Sequence, residues 1–188
     1  MANEILDAVL WKRLDLPGHD ACVLRKSHAG YELTGTALFA HSKGPCCLRY
    51  AVHCDHAWRT TKATIDGTIA RRHVHLDIAR SPRHWAINGE AHAGLADCHD
   101  IDLSFTPATN ILPIRRLGLG VGASAVVAAA WLRFPSMTLR RLEQTYKALG
   151  GGTYAYSTFG GTFNKRLSFR PSGLVGAYPA FWKTEHAG

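Results

Sequence analysis

Leu48-Arg49-Tyr50-Ala51-Val52-His53-Cys54-Asp55 is the stretch on which the fold turns. Leu48, Tyr50, Val52 and Cys54 are apolar, and Arg49, His53 and Asp55 fall between them. A period of two marks a strand with one face buried and the other in water. The same alternation recurs at Val74, Leu76 and Ile78 among His73, His75 and Asp77, and at Phe163, Leu167 and Phe169 around Asn164, Arg166 and Ser168. Turn chemistry separates such runs. Asp66–Gly67 and Asn88–Gly89 read as two-residue hairpin loops, and Ser81–Pro82 and Pro171–Ser172–Gly173 as breaks. Roughly ten short strand candidates at regular spacing, with no βαβ alternation, predict an antiparallel meander. The expected fold is mainly β: a large antiparallel sheet curled into a half-barrel or roll around a pocket, with one or two short helices.

Two regions do not fit that pattern at once. Gly118-Leu-Gly-Val-Gly-Ala is glycine-rich, and Val126 to Phe134 is apolar on both faces, as in a buried central strand or a short core helix. In Thr138 to Gly150, Leu139, Leu142, Tyr146 and Leu149 stand at helical spacing, with Thr138 as a cap and Gly150 as a stop. Periodicity alone makes this segment a helix.

A chain of 188 residues, 46% hydrophobic and 19% charged, is expected to form one domain over residues 1–188 around one core. Its net charge of +8, from 22 Lys and Arg against 14 Asp and Glu, permits anionic partners. The basic residues are scattered as singles and pairs, so no nucleic-acid arm is indicated. The longest apolar run, Val126 to Leu132, is far short of the ~20 residues that span a bilayer. Met1 to Leu16 lacks the features of a secretory signal, and five cysteines exclude a fully paired disulfide framework. A soluble cytoplasmic location with reduced thiols is expected.

Eleven histidines suggest metal, and His53-Cys54-Asp55-His56, Cys98-His99-Asp100 and the pair His73 and His75 carry the right donors. The spacing matches no zinc pattern, so no metal or cofactor is assigned, and surface or core histidine is the simpler account. Gly118 to Ala123 lacks the full dinucleotide pattern and its βαβ context, and reads as a bend. No Gly-x-Ser-x-Gly elbow occurs. Carboxylates remain. In Asp100-Ile-Asp-Leu-Ser-Phe the pleat puts Asp100, Asp102 and Ser104 on one face and Ile101, Leu103 and Phe105 on the other. Such a pair serves as acid and base, as a cation site or as acceptors for sugar hydroxyls, or is simply ion-paired with arginine. Thr106-Pro-Ala-Thr-Asn-Ile-Leu-Pro-Ile-Arg-Arg-Leu then places a proline after the strand and another in a helical first turn, followed by adjacent guanidiniums. Arg115 and Arg116 point in different directions on any regular element. One is free to pair with Asp100 or Asp102 while the other faces an anionic ligand.

Cys98-His-Asp-Ile-Asp-Leu, the Thr106 to Leu117 block, Gln144-Thr-Tyr, Tyr154-Ala-Tyr and the closing Tyr178-Pro-Ala-Phe-Trp together resemble the bacterial glycolipid-binding family. The likeness extends over nearly the whole chain and takes in Trp58 and Trp85. It implies a half-barrel around a pocket, similar to the lipoprotein localisation factors, and it implies that Thr138 to Leu149 is a strand. On that reading Leu139, Arg141, Glu143 and Thr145 line one strand face. The function expected from it is non-catalytic binding of a glycolipid or other amphiphilic small molecule on the concave sheet face. Trp58, Trp85, Trp131, Tyr146 and Tyr156 are the aromatic candidates, each of which serves equally well as core. Asp100, Asp102, Asn110 and Gln144 are candidates for hydroxyl groups, and Arg115 and Arg116 for an acidic headgroup. A small hydrolase or lyase on a sugar-like substrate, with Asp100 and Asp102 as acid and base, is the alternative. A module that pairs with proteins through an edge strand is the third reading.

Overall fold

The computed structural model describes residues 4–188. Its strands are β1 (Glu4–Arg13), β2 (Gly18–Ser27), β3 (Gly30–His41), β4 (Gly44–Cys54), β5 (Thr60–Ile69), β6 (Arg72–Arg80), β7 (Trp85–Ile87) and β8 (Glu90–His92) in the first half. The second half has β9 (Asp100–Leu103), β10 (Ser124–Arg133), β11 (Thr138–Gly150), β12 (Thr153–Thr158), β13 (Phe163–Phe169), β14 (Val175–Tyr178) and β15 (Trp182–Ala187). A 3-10 turn at Ala108–Asn110 leads into the helix α1, Ile111–Leu117.

All the strands belong to one sheet. The first half meanders from β1 out to β8, the second from β15 back to β9, and the pairing of β1 with β15 joins the two. Neighbours run antiparallel except β9 and β10, which are parallel. A parallel pair needs a crossover, and α1 lies in that connection. β8 and β9 are the two edges, so the sheet is curled without closing into a barrel. Thr60, at the start of β5, draws the β9 end against the first meander. Its N–H donates to the His99 carbonyl at 3.0 Å, and its hydroxyl accepts from the Ile101 N–H at 3.1 Å.

The alternation around Leu48 is realised in β4: Cys46, Leu48, Tyr50, Val52 and Cys54 are buried while Cys47 and Arg49 are exposed. Each large apolar side chain so buried contributes about 1.5–3 kcal/mol. Both faces are used around β9 to β11. Ile101, Leu103, Ala130, Leu132 and Leu139 join the main core, whereas Asp102, Trp131 and Leu142 on the other face line a cavity. This double burial is why the Val126 to Phe134 run is apolar on both faces. It also explains the helical spacing of the following segment, which is the strand β11, paired with β10 in unbroken register from Thr138 to Lys147. Leu139 is buried on one face, and Leu142, Gln144, Tyr146 and Ala148 on the other. The change of buried face midway imitates a helical period.

Asn88–Gly89 forms the expected hairpin turn, with φ of 50° and 85°. Ser81–Pro82 and Pro171–Ser172–Gly173 lie between strands, and Gly118 to Ala123 is a bend. Asp66–Gly67 is not a turn. Both residues sit inside β5, and the chain reverses at Ala70–Arg71. Glycine is needed at 67 for a close approach: a Cβ there would lie 2.0 Å from the Cys47 carbonyl oxygen. Gly35 likewise admits the Tyr50 hydroxyl, which a Cβ would meet at 2.3 Å. Among the described residues no helix is long and apolar enough to cross a membrane.

Candidate ligand-binding site

The helix and its lead-in pack inside the curl. Phe105, Ala108, Ile111 and Leu112 are fully buried, and Gly118 ends the helix in the left-handed conformation at φ 54°. The Leu103 N–H donates to the Thr109 hydroxyl at 3.2 Å, which ties the end of β9 to the 3-10 turn. Between this plug and the strands of the second meander lies a cavity of about 230 Å³.

The cavity lining mixes polar and aromatic side chains. Asp102, Ser104, Thr106, Asn110 and Thr158 are the polar ones; Trp131, which is in register with Asp102 on the same sheet face, and Tyr156, Phe163, Tyr178, Phe181 and Trp182 are the aromatic ones. The aromatic rings brace one another, with Tyr178 at 5.3 Å from Phe181 and Phe163 at 5.7 Å from Phe181. Trp131 meets Phe159 edge-on at 5.7 Å, and Phe159 is 52% exposed at the rim.

The polar groups of the lining have unused hydrogen-bonding capacity. Gln144 Nε2 donates to Asp102 Oδ2 at 2.6 Å and to the Tyr156 hydroxyl at 3.2 Å. Among the described residues no donor reaches Asp102 Oδ1 and no acceptor takes the Tyr156 hydroxyl proton. Asn110 donates one amide hydrogen to the Tyr146 hydroxyl at 3.1 Å, and among the described residues no donor reaches its carbonyl oxygen. Burial pushes the Asp102 carboxyl up to about 6, and the Gln144 bond draws it partly back. Behind Thr106 sits a second enclosed carboxyl, Asp20, fully buried and pushed up to about 7 by desolvation. Its partners are the Thr106 hydroxyl and the Tyr50 hydroxyl, the latter at 3.0 Å from Oδ2.

The candidate residues read from the sequence divide accordingly. Asp102, Asn110, Trp131 and Tyr156 line the cavity, and Gln144 and Tyr146 stand directly behind its wall. The other five lie elsewhere. Asp100 is 1% exposed and held by Arg116 in a two-point pair of 3.0 and 2.6 Å, and it is not among the residues that line the cavity with Asp102. Arg115 donates to the carbonyls of Ser172 and Pro171 at 2.9 and 2.7 Å. Its guanidinium lies 6.0 Å from Trp58, which stacks on Tyr31 at 3.9 Å in a separate depression. Trp85 is core, its indole N–H donating to the Cys98 carbonyl at 3.1 Å.

Sequence reasoning missed the cavity positions of Ser104, Thr106, Leu142, Thr158, Phe159, Phe163, Tyr178, Phe181 and Trp182. The closing Tyr178-Pro-Ala-Phe-Trp motif was the available signal for three of them, which also pack against the main core. Among the described residues no group of three or more His, Cys, Asp or Glu side chains is arranged to hold a metal ion.

A curled, unclosed antiparallel sheet with a small amphipathic cavity is the class of protein that this geometry defines. The sequence profile of the family described as "Putative glycolipid-binding" matches residues 8–184, and the chain belongs to that family. It is similar to a DUF1089 family protein from Pseudomonas aeruginosa, known from a crystal structure. The two are 28% identical with a TM-score of 0.77, over 87% of this chain and 91% of the other. No curated protein matches the chain.

Proposed function

We propose that the chain binds the sugar headgroup of a glycolipid or a similar amphiphile in the cavity, without chemical change to it. The observation that carries this is that free polar groups and aromatic side chains line the same cavity side by side. Asp102 Oδ1 and the Asn110 carbonyl accept from hydroxyls, the Tyr156 hydroxyl donates, and Trp131 offers a ring face. Sugar rings present that combination of equatorial hydroxyls and an apolar face. Size favours a headgroup over acyl chains. The cavity of about 230 Å³ falls just below the ~300–1,000 Å³ usual for ligand pockets, which suits a headgroup better than whole acyl chains. Chains attached to such a headgroup would leave past the exposed Phe159.

A hydrolase reading is favoured by one feature, the Asp102 carboxyl at about 6, which suits a general acid. It is weakened by the Asp100–Arg116 pair, which leaves a single carboxylate on the cavity wall where glycosidic cleavage uses two. Titration of soluble glycosides and of glycolipids in micelles, followed by calorimetry and tryptophan fluorescence, tests the proposal. Binding is expected to weaken roughly tenfold or more, ~1.4 kcal/mol, in Trp131→Ala and to stay unchanged in Trp58→Ala. Equal affinity in Trp131→Ala and the wild type overturns the site. Release of free sugar during incubation replaces binding by hydrolysis.

A further inference from the structure

Three hairpin tips meet beside the cavity rim. Lys43 lies in the β3–β4 turn, Arg71 and Arg72 in and after the β5–β6 turn, and Arg133 at the start of the β10–β11 turn. They surround an open depression of about 590 Å³ with an apolar floor of Ile69, Ala70, Phe134 and Pro135. All four cations are exposed, and Arg72 binds the Pro135 carbonyl at 2.9 Å, holding two tips together.

The charge of this rim is uncompensated. Among the described residues none of the four enters an ion pair, whereas Arg13, Arg49, Arg59, Arg116, Arg141 and Arg170 all do. Other exposed cations are also unpaired, but these four cluster around one depression. Clustered guanidiniums fit phosphate oxygens, often two at a time. The apolar floor adds a second requirement, because a free phosphate ion would leave it bare while a lipid interface covers it. A single-stranded nucleic acid would seek an open aromatic platform. The aromatic ring of the floor, Phe134, is instead engaged edge-on by Phe39 at 5.2 Å and His41 at 5.1 Å.

We propose that this three-hairpin rim docks on the surface of an anionic phospholipid bilayer, with Lys43, Arg71, Arg72 and Arg133 on lipid phosphates and the apolar floor against the interface. Arg133 also lies 5.3 Å from the Trp131 ring of the cavity wall, so docking brings the cavity close to the membrane. The inference stands whatever the cavity binds.

Flotation with phosphatidylcholine vesicles, with and without about one-third phosphatidylglycerol, provides the test. Binding is expected only to the anionic vesicles and should fall as salt shortens the reach of charge. Each basic side chain near such a surface is worth roughly fivefold, so Lys43→Ala/Arg71→Ala is expected to bind about 25-fold more weakly. The control is Lys12→Ala/Lys183→Ala, which removes the same charge from exposed positions on β1 and β15. That control should keep nearly wild-type binding. Circular dichroism melts of both variants confirm that the fold is intact, and Arg71→Glu serves if the double variant melts early. Equal losses in the two double variants, or equal binding to both vesicle types, overturn the proposal. Displacement of the protein from vesicles by a single-stranded oligonucleotide at lower concentration also overturns it, in favour of nucleic acid.

Discussion

Replacing Asp102 by asparagine should stabilise the protein, and the gain should depend on pH in a defined way. The folded-state carboxyl titrates at about 6, because burial outweighs the bond from Gln144. In an unfolded chain an aspartate titrates near ~4. Between about pH 4 and 6 the folded protein therefore holds a proton that the unfolded chain has released. The stability this group contributes is full below about pH 4 and is lost as pH rises through about 6. Two pK units correspond to about 3 kcal/mol above that range. Asparagine keeps the shape and the acceptor for Gln144 and never ionises. Asp102→Asn is thus expected to match the wild type near pH 4 and to exceed it by about 2–3 kcal/mol at neutral pH, roughly 5–10 °C in Tm. Asp20, pushed up to about 7, produces a parallel fall that persists in the variant. The decline with pH should therefore be reduced and not abolished. Thermal unfolding by circular dichroism between about pH 4 and 8 gives the comparison. A variant no more stable than the wild type at neutral pH, or one with an unchanged pH slope, refutes the argument. On the proposed function the same variant should also lose ligand affinity, because the amide offers the cavity a donor in place of a free acceptor.

Arg116→Met leaves the Asp100 carboxylate buried without its partner and should cost about 3 kcal/mol in urea unfolding at neutral pH. Most of that should return in Asp100→Asn/Arg116→Met; an unaffected single variant would show that the pair does not anchor α1 to β9. Gly67→Ala sets a Cβ against the Cys47 carbonyl, where neither strand backbone can withdraw, so a loss of about 2 kcal/mol or more is expected. An unchanged melting temperature there would mean that β5 does not run straight through residue 67. Cys47 is the exposed thiol, and Cys22, Cys46, Cys54 and Cys98 are buried. A thiol reagent should label Cys47 rapidly in the native protein and the other four only after denaturation, as read by intact mass. Rapid labelling at a second site counts against the described core.

The sequence by itself determined the local pattern. A period of two is a property of the strand backbone, so the rows led by Leu48, Val74 and Phe163 declared themselves without reference to anything distant. Asn88–Gly89 was legible for the same reason, since its left-handed φ values are intrinsic to those residues. The pairing of Arg116 with one aspartate, and the adjacency of the prolines to α1, also lay within a short stretch. Tertiary structure decided where the pattern was ambiguous. Gly67 looks like a turn residue because glycine also serves close backbone approach, and only the neighbouring β4 strand shows which. β11 looks helical because its buried face changes midway, which depends on the curl of the sheet over both sides of β9 to β11. Asp100 and Asp102 share one strand face and differ in everything else. α1 brings a guanidinium onto the first, and β11 brings only the amide of Gln144 to the second. Apart from Trp131, the aromatic lining comes from residues roughly fifty to eighty positions further on, so its meeting with Asp102 rests on the curl that carries β12 to β15 round the plug. Local backbone preference cannot encode that distance. Burial of both sheet halves against one helix supplies it.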